Sequence, residues 1–124
     1  MSSRAHMFMV TRSPEYIRVL LYEVPPLLYF NIYDGRMNAS QKMFLEQPNR
    51  EIVRFTLRAV AYFGGYHFTC RFIDATGSMY YHDGLTCGTH VHNEQLNANT
   101  VNDQVFKTAD NGRKIMIGAL YIKD

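Results

Sequence analysis

The sequence has no tryptophan, only two cysteines and no long hydrophobic run. Cys70 and Cys87 are too few to hold 124 residues together as a disulfide scaffold, so we expect reduced thiols and a cytoplasmic or nuclear location. The longest apolar runs are interrupted, as in VLLYEVPPLLYF, and fall short of the ~20 apolar residues of a membrane span. The first residues lack the pattern of a secretory signal. A membrane partner is therefore not expected.

An excess of charge is missing as well. The net charge of +2 gives little electrostatic attraction to nucleic acid or to an anionic membrane. A hydrophobic content of 47%, with nine Tyr and eight Phe, excludes a disordered composition. The length fits one domain. We expect residues 1–12 to be a tag-like or disordered N-terminus and residues 13–124 to form a single β-rich domain.

Apolar and β-branched segments predict a mainly β fold, α+β at most, with an antiparallel sheet and little helix. Strands are predicted at residues 16–24, 26–33, 51–62 and 114–122, with a hairpin within residues 64–84. For residues 16–24 a helix is the alternative, since Ser13, Pro14 and Glu15 form a helix-start pattern. Residues 36–50 and 86–112 are predicted to be polar connections, the second with one short element.

Two strands have strongly apolar faces. In residues 51–62 one face carries Val53, Phe55, Leu57, Ala59 and Ala61. In the hairpin, Phe68, Cys70 and Phe72 alternate with polar residues. With little helix to cover these faces, we expect a homo-oligomer formed through the sheet, or a missing helical lobe that packs on it. The alternative is a monomer in which residues 86–112 fold back over the exposed face.

The stretch GGYHFTCRFIDATGSMYYHDG, residues 64–84, carries a histidine before its turn and an aspartate after it. If Ala75-Thr76-Gly77 forms a three-residue turn, Asp74 pairs with Ser78 and His67 stands opposite Leu85. Asp83 then shares a face with His67, within hydrogen-bonding reach. A histidine oriented by a carboxylate is the general-base half of a nucleophilic triad. A polar cross-strand pair at the sheet edge is the alternative.

The order of motifs resembles the C-terminal palm half of ubiquitin-specific proteases, which have a papain-like cysteine protease domain. The matching segments, spread over about residues 17–124, are VPPLLYFNI, FTLRAVAYFGG, YHFTCRF, MYYHDG and ALYIKD. The resemblance implies cysteine-type deubiquitinase chemistry, with His67 as general base and Asp83 as its orienting partner. It also implies a palm-like sheet and makes a ubiquitin-like protein a candidate partner.

The chain departs from that family in ways that affect catalysis. The cysteine box that supplies the nucleophile is absent, Met79 stands at the tryptophan position, and Gly84 replaces a second aspartate. Cys70 is three residues from His67 on a strand, so it is expected on the opposite face as a small core residue. Cys87 is the remaining substitute nucleophile, although nothing places a reactive thiolate there.

Two rival sites have weaker support. The pattern Cys87-x-x-His90-x-His92, with His82 and His67 nearby, has zinc-like spacing. Solvated loop residues are the favoured interpretation, and no metal or cofactor is expected. Arg54, Arg58 and Arg71, with Tyr62 and Tyr80, are candidates for a basic aromatic face that binds single-stranded nucleic acid. A solvated sheet face is the alternative, and the small net charge favours it.

The sequence therefore predicts a catalytically incomplete, deubiquitinase-like lobe that is inactive alone. It would act by binding or assembly, or it would need another chain to complete a thiol protease. The alternative function is a non-catalytic, self-assembling or nucleic-acid-binding β module, with a mobile element as its candidate source.

Overall fold

The computed structural model describes residues 6–12, 15–21, 23–32, 39–85 and 88–124, with backbone only for residues 6–12 and 15–21. These residues contain ten strands in one antiparallel sheet and one short 3-10 helix, Asp103–Lys107. The strands are β1 (His6–Arg12), β2 (Glu15–Leu21), β3 (Leu27–Asn31), β4 (Lys42–Glu46), β5 (Ile52–Gly64), β6 (His67–Ile73), β7 (Ser78–His82), β8 (His92–Asn97), β9 (Thr108–Ala109) and β10 (Lys114–Lys123). The prediction of a mainly β, antiparallel fold with little helix is confirmed.

The long strand β5 is the centre of the sheet. β10 pairs with it from Phe55 to Phe63, while β4 pairs with its first residues and β6 with its last. From β4 the sheet continues to β1 and β2, and from β6 it continues to β7 and β8. β10 also pairs with β3 and β9. The first and second halves of β5 thus belong to two arms of the sheet.

Several element predictions need correction. Residues 15–21 are the strand β2, so the helical alternative is wrong. Residues 6–12, which we placed outside the domain, form β1 and pair with β2 and β4, so the sheet begins before residue 13. The predicted connection at residues 36–50 contains β4. Residues 86–112 contain β8, the 3-10 helix and β9 instead of one short element.

Strand β5 changes the face that it buries at Arg58. Tyr121 of β10 pairs with Leu57, and the preceding Leu120 pairs with Ala59, so Arg58 is an extra residue on β5. An extra residue of this kind, a β-bulge, shifts the alternation of a strand by one. Phe55 and Leu57 are buried before the bulge, and Val60 and Tyr62 after it. The prediction that Ala59 and Ala61 share a face with Phe55 and Leu57 is therefore wrong.

Strand β6 buries the face that was predicted to be polar. Thr69 pairs with Tyr62 and Arg71 with Val60, and directly paired residues point to the same side of a sheet. Thr69 and Arg71 are consequently buried. The predicted apolar face points outward, where Phe68 is 68% exposed and Phe72 is 41% exposed.

The described part of the connection at residues 86–112, namely residues 88–112, covers the inward face of the sheet. Ala98, Phe106 and Ala109 are buried there and belong to the core. The hydroxyl of Tyr62 donates to the carbonyl oxygen of Phe106 at 2.8 Å, which ties this connection to β5. The connection therefore closes one face of the sheet and leaves the outward side chains of β6 uncovered.

Candidate functional site

The turn between β6 and β7 has the predicted three-residue form. The backbone amide of Asp74 donates to the carbonyl oxygen of Ser78 at 3.0 Å. The Asp74 carboxylate accepts from the amides of Thr76 and Ser78 at 2.9 and 3.0 Å. Gly77 has φ +89, a conformation that favours glycine. The predicted register is confirmed, since Ile73 pairs with Met79 and Cys70 with His82.

Strand β7 ends before it reaches the level of His67, so the predicted pairing of His67 with Leu85 is not formed in the ladder. Asp83 lies just beyond the end of β7 and turns its carboxylate toward β6. Its Oδ1 accepts from the Leu85 amide at 3.0 Å, and its Oδ2 lies 3.1 Å from His67 Nε2. His67 and Asp83 are thus within hydrogen-bonding distance, as the hairpin register predicts.

The charge of Asp83 is stabilised by its surroundings. The hydrogen bond from His67 lowers the pKa of the Asp83 carboxyl below its ordinary value. The Leu85 amide and the positive charge of Lys114 act in the same direction, and partial burial opposes them. Asp83 is therefore held as a carboxylate that accepts a hydrogen bond from the imidazole.

Lys114 is the third member of this cluster, and no role was predicted for it. It is the first residue of β10, and only 2% of it is exposed. Its Nζ lies 3.1 Å from His67 Nδ1 and 3.0 Å from His67 Nε2, and it donates to the carbonyl oxygen of Gly64. A sequence signal existed, because Lys114 shares strand parity with Met116, a buried residue of the last strand.

The hydrogen-bond partners determine which nitrogen of the neutral His67 ring carries the proton. A carboxylate only accepts, so Nε2 must be the donor toward Asp83. Nδ1 then holds the lone pair, and its other close neighbour, the Gly65 carbonyl oxygen at 3.3 Å, cannot donate to it. The ammonium of Lys114 lies at nearly equal distances from Nδ1 and Nε2, so it packs against the ring and not along the lone pair of Nδ1. The directed hydrogen bond of the pair runs from Nε2 of His67 to Asp83.

The turn between β5 and β6 brings these groups together. Gly65 and Tyr66 both have positive φ, +59 and +63, as a two-residue hairpin turn of this kind requires. A Cβ on Gly64 would collide with the carbonyl oxygen of Arg113, so glycine permits β10 to approach at this point. The predicted break at the double glycine is this turn, and it positions both His67 and Lys114.

No thiol accompanies the pair among the residues that the structure describes. Cys70 points away from His67, as predicted, because it alternates with the inward Thr69 and Arg71. It is half-buried on the outward face, so the prediction that it is a core residue is wrong. Burial raises the pKa of its thiol, which disfavours the thiolate. Cys87 lies outside the described residues.

A second polar cluster lies further along the inward face of β6. Arg71 donates from Nε and Nη2 to both carboxylate oxygens of Glu94 on β8, at 2.7 and 2.8 Å. Its Nη1 donates to the Tyr62 hydroxyl at 2.7 Å and to the Val105 carbonyl oxygen at 2.9 Å. These bonds fix β8 and the 3-10 helix against β5 and β6.

The predicted basic aromatic face does not form. Arg71 and Tyr62 are buried together on the inward side, and Arg58 donates to the backbone carbonyl of Asp74 at 2.6 Å. Arg54 is exposed on the other arm of the sheet. These residues do not share an accessible surface.

A polar cavity of about 440 Å³ lies beside the Arg71–Glu94 pair, and His67 and Asp83 do not line it. Within the described part of the chain, no group of three or more His, Cys, Asp or Glu side chains is placed to hold a metal ion. His90 and His92 of the zinc-like pattern are exposed, and its cysteine falls outside the described residues. Across the same residues, no helix is long and apolar enough to cross a membrane.

Comparison with known proteins identifies no relative. No family model, curated protein or solved structure matches the chain.

Proposed function

We propose that the chain is a catalytically incomplete, deubiquitinase-like lobe that binds a ubiquitin-like protein without cleaving it. The observation that supports this proposal is the hydrogen bond between His67 Nε2 and Asp83 Oδ2 in a hairpin whose motifs resemble the protease palm. The geometry suits a general base with its orienting carboxylate.

The position of Lys114 supports the proposal that the site lacks a nucleophile. In a nucleophilic triad, the imidazole nitrogen that does not face the carboxylate accepts the proton of the nucleophile. Here Nδ1 has the ammonium of Lys114 at 3.1 Å and the Gly65 carbonyl oxygen at 3.3 Å beside it. A nucleophile from this chain or from another would have to approach Nδ1 past these two groups before His67 could act as its base.

The proposal is tested by two measurements on the whole chain. With a fluorogenic substrate derived from the ubiquitin C-terminus, we expect no turnover by the isolated protein. Turnover that disappears in Cys87→Ala would overturn the assignment and identify Cys87 as a nucleophile. In a titration with unlabelled ubiquitin followed by NMR, we expect shifts at Gly64, His67 and Asp83. A spectrum that ubiquitin leaves unchanged at millimolar concentration would overturn the binding role.

A self-assembling β module is the second candidate. The specific observation in its favour is the outward apolar face of β6 and its neighbours, where Phe68 and Phe72 remain exposed. Assembly and ubiquitin binding use different surfaces of the sheet, so the two roles are tested separately.

A further inference from the structure

The outward side of β5, β6 and β10 carries a continuous apolar surface. Phe63 pairs with Phe68 on β6 and with Ile115 on β10, and the two phenyl rings lie 4.8 Å apart. Further along, Ala61 pairs with Cys70 and Ala59 with Phe72. We call the group Phe63, Phe68, Phe72 and Ile115 the aromatic patch.

Tyr66 extends the aromatic patch at the tip of the β5–β6 hairpin. Its side chain is 99% exposed, and its backbone has φ +63, which is unfavourable for a residue with a Cβ. The Tyr66 side chain therefore adds nothing to the core of this chain, although its backbone is held in a strained conformation.

We propose that the aromatic patch is the interface of a homodimer. A whole aromatic side chain has an area of about 200 Å², so the exposed fractions of the patch amount to roughly 400 Å², and Tyr66 adds about 200 Å². A standard interface buries about 800 Å² on each partner, of which roughly 55–65% is apolar. The patch with Tyr66 supplies the apolar area that one such interface needs.

A second copy of the chain is the occupant that these features favour. The outward positions of β6 are Phe68, Cys70 and Phe72, with no charge that would select a partner of opposite sign. The net charge of +2 creates little repulsion between two copies. A twofold axis through the patch would pack one sheet on the other, with the same residues from each copy in contact. The dimer does not depend on the His67–Asp83 pair.

The test is the mass of the whole chain in solution, measured by light scattering and sedimentation at micromolar concentrations. We expect a dimer for the wild type and a monomer for Phe68→Asp. Ile52→Asp is the matched control, because Ile52 is equally exposed but lies at the far end of β5, about 35 Å from Phe63 along the strand. This variant should remain dimeric. Circular dichroism shows whether each variant is folded.

A second readout does not depend on a variant in the patch. Cys70 lies between Phe68 and Phe72, so in Cys87→Ser a short bis-maleimide should link two copies through Cys70. A wild type that stays monomeric on concentrating, or a dimer that persists in Phe68→Asp without Cys70 cross-linking, would overturn the proposal. A monomer that still binds ubiquitin would leave the proposed function intact.

Discussion

Lys114 Nζ lies 3.1 Å from Nδ1 and 3.0 Å from Nε2 of His67, against the ring whose Nε2 donates to Asp83. The ammonium is buried and has two further acceptors, the carbonyl oxygens of Gly64 and His67. A buried charge is stable only when it is paired and hydrogen-bonded. The cluster therefore combines a base-orienter geometry with a structural cation, which links the ends of β5, β6 and β10.

The first prediction concerns acid stability and Asp83. Its folded-state pKa is lowered, so the stabilisation is present above the ordinary value of about 4 and is lost as the pH falls through the lower folded-state value. Asp83→Asn has no carboxyl to titrate. We expect its free energy of unfolding to fall less than that of the wild type between pH 5 and pH 3, as measured by urea unfolding. Parallel pH profiles would contradict the assignment.

The second prediction concerns the close approach of β10 to Gly64. In Gly64→Ala the new Cβ meets the carbonyl oxygen of Arg113, so β10 must move, at a cost of roughly 1–3 kcal/mol in the free energy of unfolding. Gly84→Ala is the control, because its nearest neighbour is His82 Cε1 at 3.8 Å. That variant should stay within about 0.5 kcal/mol of the wild type. Equal stability of the two variants would refute the close approach.

The third prediction separates the buried and the exposed leucines. Leu57 is fully buried just before the bulge, so Leu57→Ala should lower the free energy of unfolding by about 2–5 kcal/mol. Leu85 is 76% exposed, and Leu85→Ala should change it by less than about 0.5 kcal/mol. Chemical unfolding of the two variants checks this. A small effect of Leu57→Ala would mean that this part of β5 is not in the core.

The fourth prediction concerns the Arg71–Glu94 pair. Glu94→Ala leaves a buried guanidinium without its carboxylate, and we expect a loss of about 3–5 kcal/mol in the free energy of unfolding. The control is Arg113→Ala, which removes an exposed pair with Asp110 at 3.9 Å and should cost less than about 1 kcal/mol. If both variants unfolded at the same denaturant concentration, water would have to reach Arg71 in the folded state.

Local patterns were enough to predict the hairpin and the His67–Asp83 contact. The Asp74–Ser78 turn sets the register, and the register sets which residues share a face. The bulge at Arg58 could not be read from residues 51–62, because their apolar alternation continues without a break through Ala59 and Ala61. After this bulge the other set of β5 side chains points inward. The β6 residues that pair with this set, Thr69 and Arg71, therefore point inward as well.

The contact between Lys114 and His67 could not be predicted from the sequence. Lys114 is 47 residues from His67, and only the pairing of β10 with β5 brings the two together. The same long-range pairing places Tyr62 and Arg71 in the interior, where single-strand alternation predicted a solvated face. When long-range strand pairing brings two residues together, the sequence around each residue does not predict the contact.

The central claim, that Nε2 of His67 donates to Asp83 while the ammonium of Lys114 lies against the same ring, is tested most directly by long-range proton–nitrogen NMR of the histidine ring. Above pH ~7.5, where an ordinary histidine is neutral, we predict a protonated Nε2 and an unprotonated Nδ1 in the wild type. The Nδ1 resonance should move in Lys114→Met, while the exposed His92 ring stays unchanged. A neutral His67 ring with its proton on Nδ1, or an Nδ1 resonance that is the same in Lys114→Met, would contradict the account.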